Sequence, residues 1–346
     1  MSKNKFFIVS SFLLLIIAFG IMPLFAGDAD RVGTAAGVQV LVPVGARDLA
    51  LGGSDVATTS GLNALYWNPA GFSIMPSRAL AQFSTMNIFN DIRVNYLAVG
   101  VTAGRFGSFG VSLKAFDFGD IPLTTVEDMD GASGRTFSPT FTTLGITYAR
   151  RLTDAIRVGV TGKVIYESIP RASASALAAD IGIQYENLGH INGLSIGLVV
   201  KNIGTNMKYE GSGLLTQAQE EDASFADFRS RQASSDQLPS TVELGLTYRR
   251  NITETSDLVF AGVFQNNNFD NDRYKFGLEY VYNDLIALRG GYQYNQGVES
   301  EDALYGMTMG LGLHLKVGGS NLWFDYTYRN SQYFDGNNLF SFQIGF

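Results

Sequence analysis

The chain ends on Phe340-Ser341-Phe342-Gln343-Ile344-Gly345-Phe346, and this stretch limits what the rest can fold into. Successive side chains of a strand point to opposite faces. Phe340, Phe342, Ile344 and Phe346 therefore share one face, and Ser341, Gln343 and Gly345 the other. The same alternation recurs upstream. Val158, Val160, Val164 and Tyr166 oppose Gly159, Thr161, Lys163 and Glu167; Met307, Met309, Leu311 and Leu313 oppose Thr308, Gly310, Gly312 and His314. Val242, Leu244 and Leu246 oppose Glu243, Gly245 and Thr247, and Leu322, Phe324 and Tyr326 oppose Trp323, Asp325 and Thr327. A soluble sandwich alternates too, but its strands average nearer 5 or 6 residues. These run about 10, the length that crosses a bilayer at a tilt.

From residue 78 onward the pattern gives about fourteen strands, the first at 78–88 and the last at 338–346, an even number as single-chain bacterial barrels have. The connections alternate in length. Gly104-Arg105, Leu152–Asp154, Leu188–His190, Asn283-Asp284 and Val317-Gly318 are tight; Gly119–Arg135, Ile169–Ala176, Gly204–Leu238, Gly297–Asp302 and Asn330–Asn337 are longer. Short turns on one rim and long loops on the other are the barrel asymmetry, periplasmic against extracellular. The connection Phe89–Arg93 is an exception, short on the long-loop rim. No strand shows an evident proline or bulge that would mark an opening in the wall. The expected fold is all-β: a transmembrane antiparallel β-barrel with a small N-terminal plug segment in its lumen, placed in the outer membrane.

Residues 1–26 read as a signal peptide. Lys3 and Lys5 precede an apolar run from Phe6 to Gly20, and Leu24-Phe25-Ala26 offers a cleavage site. A membrane-spanning helix is the alternative, since the greasy run is roughly 20 residues. Residues 27–77 are small-sided and too few to fold alone, so they read as a plug inside the barrel formed by 78–346. Arg47 and Asp48 are its candidates for ion pairing with the wall. Trp67 is its candidate anchor, with an indole N–H that needs a partner once buried. Asn68-Pro69 forces a turn. Phe72, Ile74 and Met75 either line an apolar pocket or seat the plug.

Charges fall opposite the apolar faces: Lys163, Glu167, Glu243, Arg249, Glu279, Arg289 and Asp325 among them, with Lys114, Lys275, Lys316 and Arg329. They are candidate lumen-lining groups, either a cross-strand ionic lattice or the lining of a conduit. On the lipid face a Lys or Arg near mid-membrane would cost about 2–4 kcal/mol.

Other chemistry is sparse. The net charge is −7 with no basic block, which excludes nucleic acid as a partner class. There is no Cys, and His190 and His314 are the only histidines. No phosphate-cradling glycine loop or nucleophile elbow occurs. No catalytic residue, cofactor or metal is expected. Glu127-Asp128-Met129-Asp130-Gly131 lacks the full spacing of a calcium loop and reads as a solvated acidic turn.

Taken together, the motifs resemble a known family. Gly45–Gly53 and Ala64–Gly71 look like the two amino-terminal signatures of the PorV/PorQ family, and Ala179–Gly182, Lys201–Gly204, Leu238–Ser240 and Leu288–Tyr292 resemble its later motifs in similar order. The resemblance implies a barrel like that of the FadL group, with fourteen strands and an amino-terminal plug. It implies a non-enzymatic role in type IX secretion, with the translocon barrel and secreted cargo as partners besides outer-membrane lipid. It implies that the terminal Phe346 serves as a barrel-assembly signal. The alternative within the same fold is a passive transporter of hydrophobic small molecules.

Overall fold

A computed structural model describes residues 31–89, 92–218, 227–299 and 301–346. The signal peptide expected at 1–26 and part of the 89–93 connection lie outside the described residues. Fourteen strands form one closed antiparallel barrel. They are β1 (Ala79–Ile88), β2 (Ile92–Thr102), β3 (Ser108–Asp117), β4 (Thr140–Arg151), β5 (Ile156–Ile169), β6 (Ala172–Glu186) and β7 (Leu194–Gly204). The other seven are β8 (Thr241–Thr253), β9 (Ser256–Asn267), β10 (Arg273–Tyr282), β11 (Ile286–Asn295), β12 (Tyr305–Val317), β13 (Ser320–Ser331) and β14 (Asn337–Gly345). The last strand pairs with the first, from Leu80↔Gly345 to Asn87↔Asn338, so the sheet closes on itself.

Burial runs opposite to that of a soluble protein. On β5, Val160, Val164 and Tyr166 are exposed, while Thr161, Lys163 and Glu167 are buried. On β14, Phe340 and Phe342 are exposed and Ser341 is buried. Apolar side chains face outward because lipid is their solvent, and the ladders of the closed barrel pair the wall's backbone polar groups between strands. Phe264, Tyr274 and Tyr294 sit at one level on β9, β10 and β11, with ring centroids 5.3 and 6.4 Å apart along the row. Such a row is an interfacial aromatic girdle. No helix among the described residues is long and apolar enough to cross a membrane.

The rims differ as expected, with one correction. The segment 169–176 is no long loop: β5 runs to Ile169 and β6 starts at Ala172. A tight turn suffices because Arg171 takes φ 68°, and the extended β6 gains a further bridge from Ser173 to Glu210. The long connection after β7 carries two short ladders. Met207–Lys208 pairs with Ser235–Asp236, and Leu215–Ala218 pairs with Asp227–Ser230. Its base is anchored where Met207 and Leu238 pack with Val40, Ile165 and Ala176.

Candidate functional site

Residues 31–77 thread the lumen from the long-loop rim to the short-turn rim. At the outer rim, the Arg31 guanidinium donates to Gln237 Oε1 (2.9 Å) and Asn268 Oδ1 (3.1 Å) and lies over the Phe269 ring. At the inner rim, Asn321 Nδ2 donates to Ser77 Oγ (3.1 Å), and the next residue enters β1 beside Phe346. Between them lie two short helices, α1 (Ala46–Ala50) and α2 (Ala64–Trp67), and several helical turns. None could persist alone, because isolated helices this short do not form in water. The wall holds them.

Glycines facing inward make the seats. Gly159 on β5 and Gly182 on β6 are cross-strand partners. A Cβ on Gly159 would lie 2.3 Å from the Pro69 carbonyl, and one on Gly182 would lie 1.9 Å from Asn68 Oδ1. Three more pairs repeat the device. Gly100 and Gly110 receive the Phe72 ring, Gly197 and Gly245 receive Val56 and Ala57, and Gly277 and Gly291 receive Leu51, Gly52 and Ser54. The remaining strands are touched through side chains. Leu80 (β1) and Ala149 (β4) pack in the cluster around Leu62 and Phe72, and Val263 (β9) packs on Val56. Thr308 (β12) donates to Ala50 O, Thr327 (β13) to Ala46 O, and Ser341 (β14) accepts from Ala46 N. The plug therefore contacts every strand of the wall.

A buried ionic chain joins plug to wall. Arg47 reaches Asp55 (2.7 Å) within the plug and Glu279 on β10 (2.9 Å); Glu279 holds Arg289 (2.7 Å), which holds Asp325 (2.6 Å). Among the described residues Asp48 makes no wall pair: its ion pair is with Arg47, at 3.5 Å. A second group runs Lys163 to Asp180 (2.5 Å), and Lys201 and Lys275 to Glu243 (2.7 and 3.4 Å). Glu167 accepts from the Tyr209 hydroxyl of the long outer connection. Truncating one member of such a pair leaves a buried uncompensated charge, worth about 3–5 kcal/mol.

Trp67 is buried and its Nε1 donates to Val44 O (2.9 Å). Asn68 donates to Val56 O (2.9 Å), and its Oδ1 accepts from Ala70 N, capping the helical turn that Pro69 begins. Phe72 is wholly buried in its glycine seat. Arg249 departs from the lumen-lining group. It has the inward parity, but β8 has passed the inner rim there and the residue is exposed, as is Lys316 at the end of β12. His314 stacks on Trp323 at 4.7 Å, and its nitrogens meet Asp284 O and Asn321 Oδ1. In the acidic loop the Asp128 carboxylate accepts from the N–H groups of Ala132 and Ser133. No group of three or more acidic or histidine side chains converges as a metal site among the described residues.

Between the plug and the outer loops lies a cavity of about 350 Å³. Val40, Val42, Leu49, Tyr66 and Trp67 floor it, and Lys201, Glu243, Lys275, Tyr305 and Arg329 are among its walls. Sequence reading did not assemble this cavity. The signal available was that Lys201, Glu243, Lys275 and Arg329 all fall near the outer ends of inward faces.

Among solved structures, the Pseudomonas putida toluene transporter TodX resembles the fold with a TM-score of 0.53 at 12% identity, covering 87% of this chain and 97% of that one. The Ralstonia pickettii toluene transporter TbuX does so with a TM-score of 0.53 at 13% identity, over 88% and 98%. A Pseudomonas aeruginosa FadL homologue gives 0.50 at 10% identity, over 88% and 98%. At these identities the likeness is one of fold. No curated protein matches the sequence. The family described as "Type IX secretion system protein PorV" matches residues 25–228. That match takes in the plug and the wall as far as the long outer connection, more than half of the sequence, and on that ground the chain belongs to the PorV family of outer-membrane barrels.

Proposed function

We propose that this protein serves type IX secretion as a plugged barrel that binds secreted cargo or a translocon partner through its outer loops. The observation that carries the reading is the attachment of the plug to all strands of the wall. A lumen so filled leaves the outer loops as the working surface. The 205–240 connection is the longest of them; loops of this length in a compact fold are usually either functional or disordered, and this reading takes it as functional. The plug's role in this reading is structural, and Arg47, Trp67, Asn68 and Pro69 keep the barrel shut. Residues 1–26 serve as the export signal, 27–77 as the plug and 78–346 as the barrel. The protein is not an enzyme in this reading.

The test is affinity capture from solubilised outer membranes with the mature protein as bait. Recovery of a large translocon barrel, or of secreted proteins sharing a carboxy-terminal domain, is expected. Replacing residues 211–234 by a short turn should abolish it. A clean bait would overturn the stable-complex form of the proposal.

A second reading, passive transport of hydrophobic small molecules, is favoured by the cavity above the plug. Proteins named as toluene transporters share the fold. This reading requires the plug to move, so it predicts uptake that stops when the plug is cross-linked to β10.

A further inference from the structure

The wall has an opening between β11 and β12. The ladder joining them stops at Tyr292↔Met307, whereas the ladder joining β10 to β11 continues to Arg273↔Asn295. On the other side, the pairing of β12 with β13 slips between Tyr305 and Thr308. A bulge bends its strand, and this one lies where β12 stops pairing with β11. No bulge was legible there, because Met307, Met309 and Leu311 read as plain alternation.

A cleft of about 170 Å³ fills the gap, roofed by Val298, Ala303 and Leu304 of the following loop. It is lined by both faces of the wall: Tyr294, Met307 and Asn330 from outside, Gln293 and Tyr305 from inside. Gln293, Asn295, Leu304, Tyr305 and Gly306 also line the cavity above the plug, so the two spaces adjoin through the wall. The outer mouth lies beside Tyr294, at the end of the aromatic row. That is the level at which lipid headgroups meet the barrel.

The inner space is cationic. Lys201 and Lys275 share the single carboxylate of Glu243. Arg329 is buried, donates to Asn337 Oδ1 (2.9 Å) and lies 3.6 Å over the Tyr305 ring, with no carboxylate partner among the described residues. Thr241 Oγ1 and Gln265 Oε1, also in the lining, are buried with no hydrogen-bond partner among the described residues. A buried guanidinium lacking a counter-ion is a receptor for an oxyanion, and its planar fork suits phosphate.

We infer that the opening between β11 and β12 admits the phosphate-bearing headgroup of an anionic outer-leaflet lipid, which docks against Arg329 while its acyl chains stay outside along Met307 and Tyr294. The site would make a membrane lipid a resident ligand of the barrel. It stands apart from protein partners at the loops, and either reading can fail without the other.

The test uses the full mature chain in nanodiscs of equimolar phosphatidylcholine and phosphatidylglycerol, with native mass spectrometry of the lipid retained on release. Two variants accompany it: Arg329→Gln, which removes the charge but keeps a donor to Asn337, and Gly306→Phe, which fills the opening and spares every cation. Heat-modifiable migration confirms that each variant has folded. The wild type should retain phosphatidylglycerol in preference to phosphatidylcholine. Each variant should lower that retention about tenfold, the factor carried by one lost charge-assisted hydrogen bond. Equal retention of both lipids would overturn the proposal, as would retention unchanged in Gly306→Phe. The free anion is the remaining source. If inorganic phosphate displaces phosphatidylglycerol from the wild type and raises the thermal stability of both wild type and Gly306→Phe equally, the ligand comes from water and the side opening is overturned.

Discussion

Arg47 binds two carboxylates from different parts of the fold, Asp55 in the plug and Glu279 on β10. Arg47→Met would leave Asp55 with a hydroxyl partner, Thr58, and Glu279 with Arg289 alone. We expect plug docking to weaken by about 3–5 kcal/mol. Limited proteolysis should then cut within residues 31–77 while the barrel band persists. The arginine was visible in the sequence as part of an Arg-Asp pair. Its partner was not, because Glu279 lies more than two hundred residues away and only barrel closure brings them together. Asp128 gives a pH-dependent counterpart outside the membrane. Hydrogen bonds from Ser133, side chain then backbone, and from the Ala132 N–H hold its carboxyl below the usual aspartate range. A depressed folded value stabilises the loop fully above the ordinary pKa of about 3.9, and the contribution is lost as pH falls through the lower folded value. Hydrogen-exchange protection of residues 118–139, taken relative to the intrinsic exchange rate at each pH, should therefore fall on acidification, and Asp128→Asn should remove that loss of protection.

Among the elements, β5 separates the two surfaces of the wall in adjacent positions. Gly159→Leu would drive a side chain into the Pro69 carbonyl, whereas a Cβ on Gly162 meets nothing within 4 Å. Gly159→Leu should dislodge the plug, an overpacking cost of about 1–3 kcal/mol or more. Gly162→Leu should be neutral in the same proteolysis assay. On the neighbouring strand, Ile146 faces outward near the strand centre and is exposed. Ile146→Lys should cost about 2–4 kcal/mol of barrel stability in urea unfolding within lipid. The face of each strand was legible because a period of two fixes it, and closing Phe340–Phe346 anchors the parity. The glycine seats were not. Glycines were legible as abundant, but which ones meet the plug depends on register across neighbouring strands, as in Gly159↔Gly182. The strand ends were least legible: the 169–176 segment read as a loop because Pro170-Arg171 breaks the alternation, yet the ladder resumes at Ala172.

At the scale of the whole molecule, the barrel and its plug form one packed body, with the lumen divided into a filled inner part and an outer cavity of about 350 Å³. The plug's existence was legible from its small-sided composition. Its course was not: Arg31 at the outer rim and Ser77 at the inner rim mark a full crossing that nothing in the local sequence announces. If the plug is a fixed part of the wall, as its contacts with all strands suit, the protein works from its outer surface. Single-molecule conductance in a planar bilayer tests this most directly, comparing the mature protein with Gly159→Leu. We predict no ion steps from the wild type and discrete openings from the variant. Steady conductance by the wild type would contradict the claim and make the lumen itself the working part.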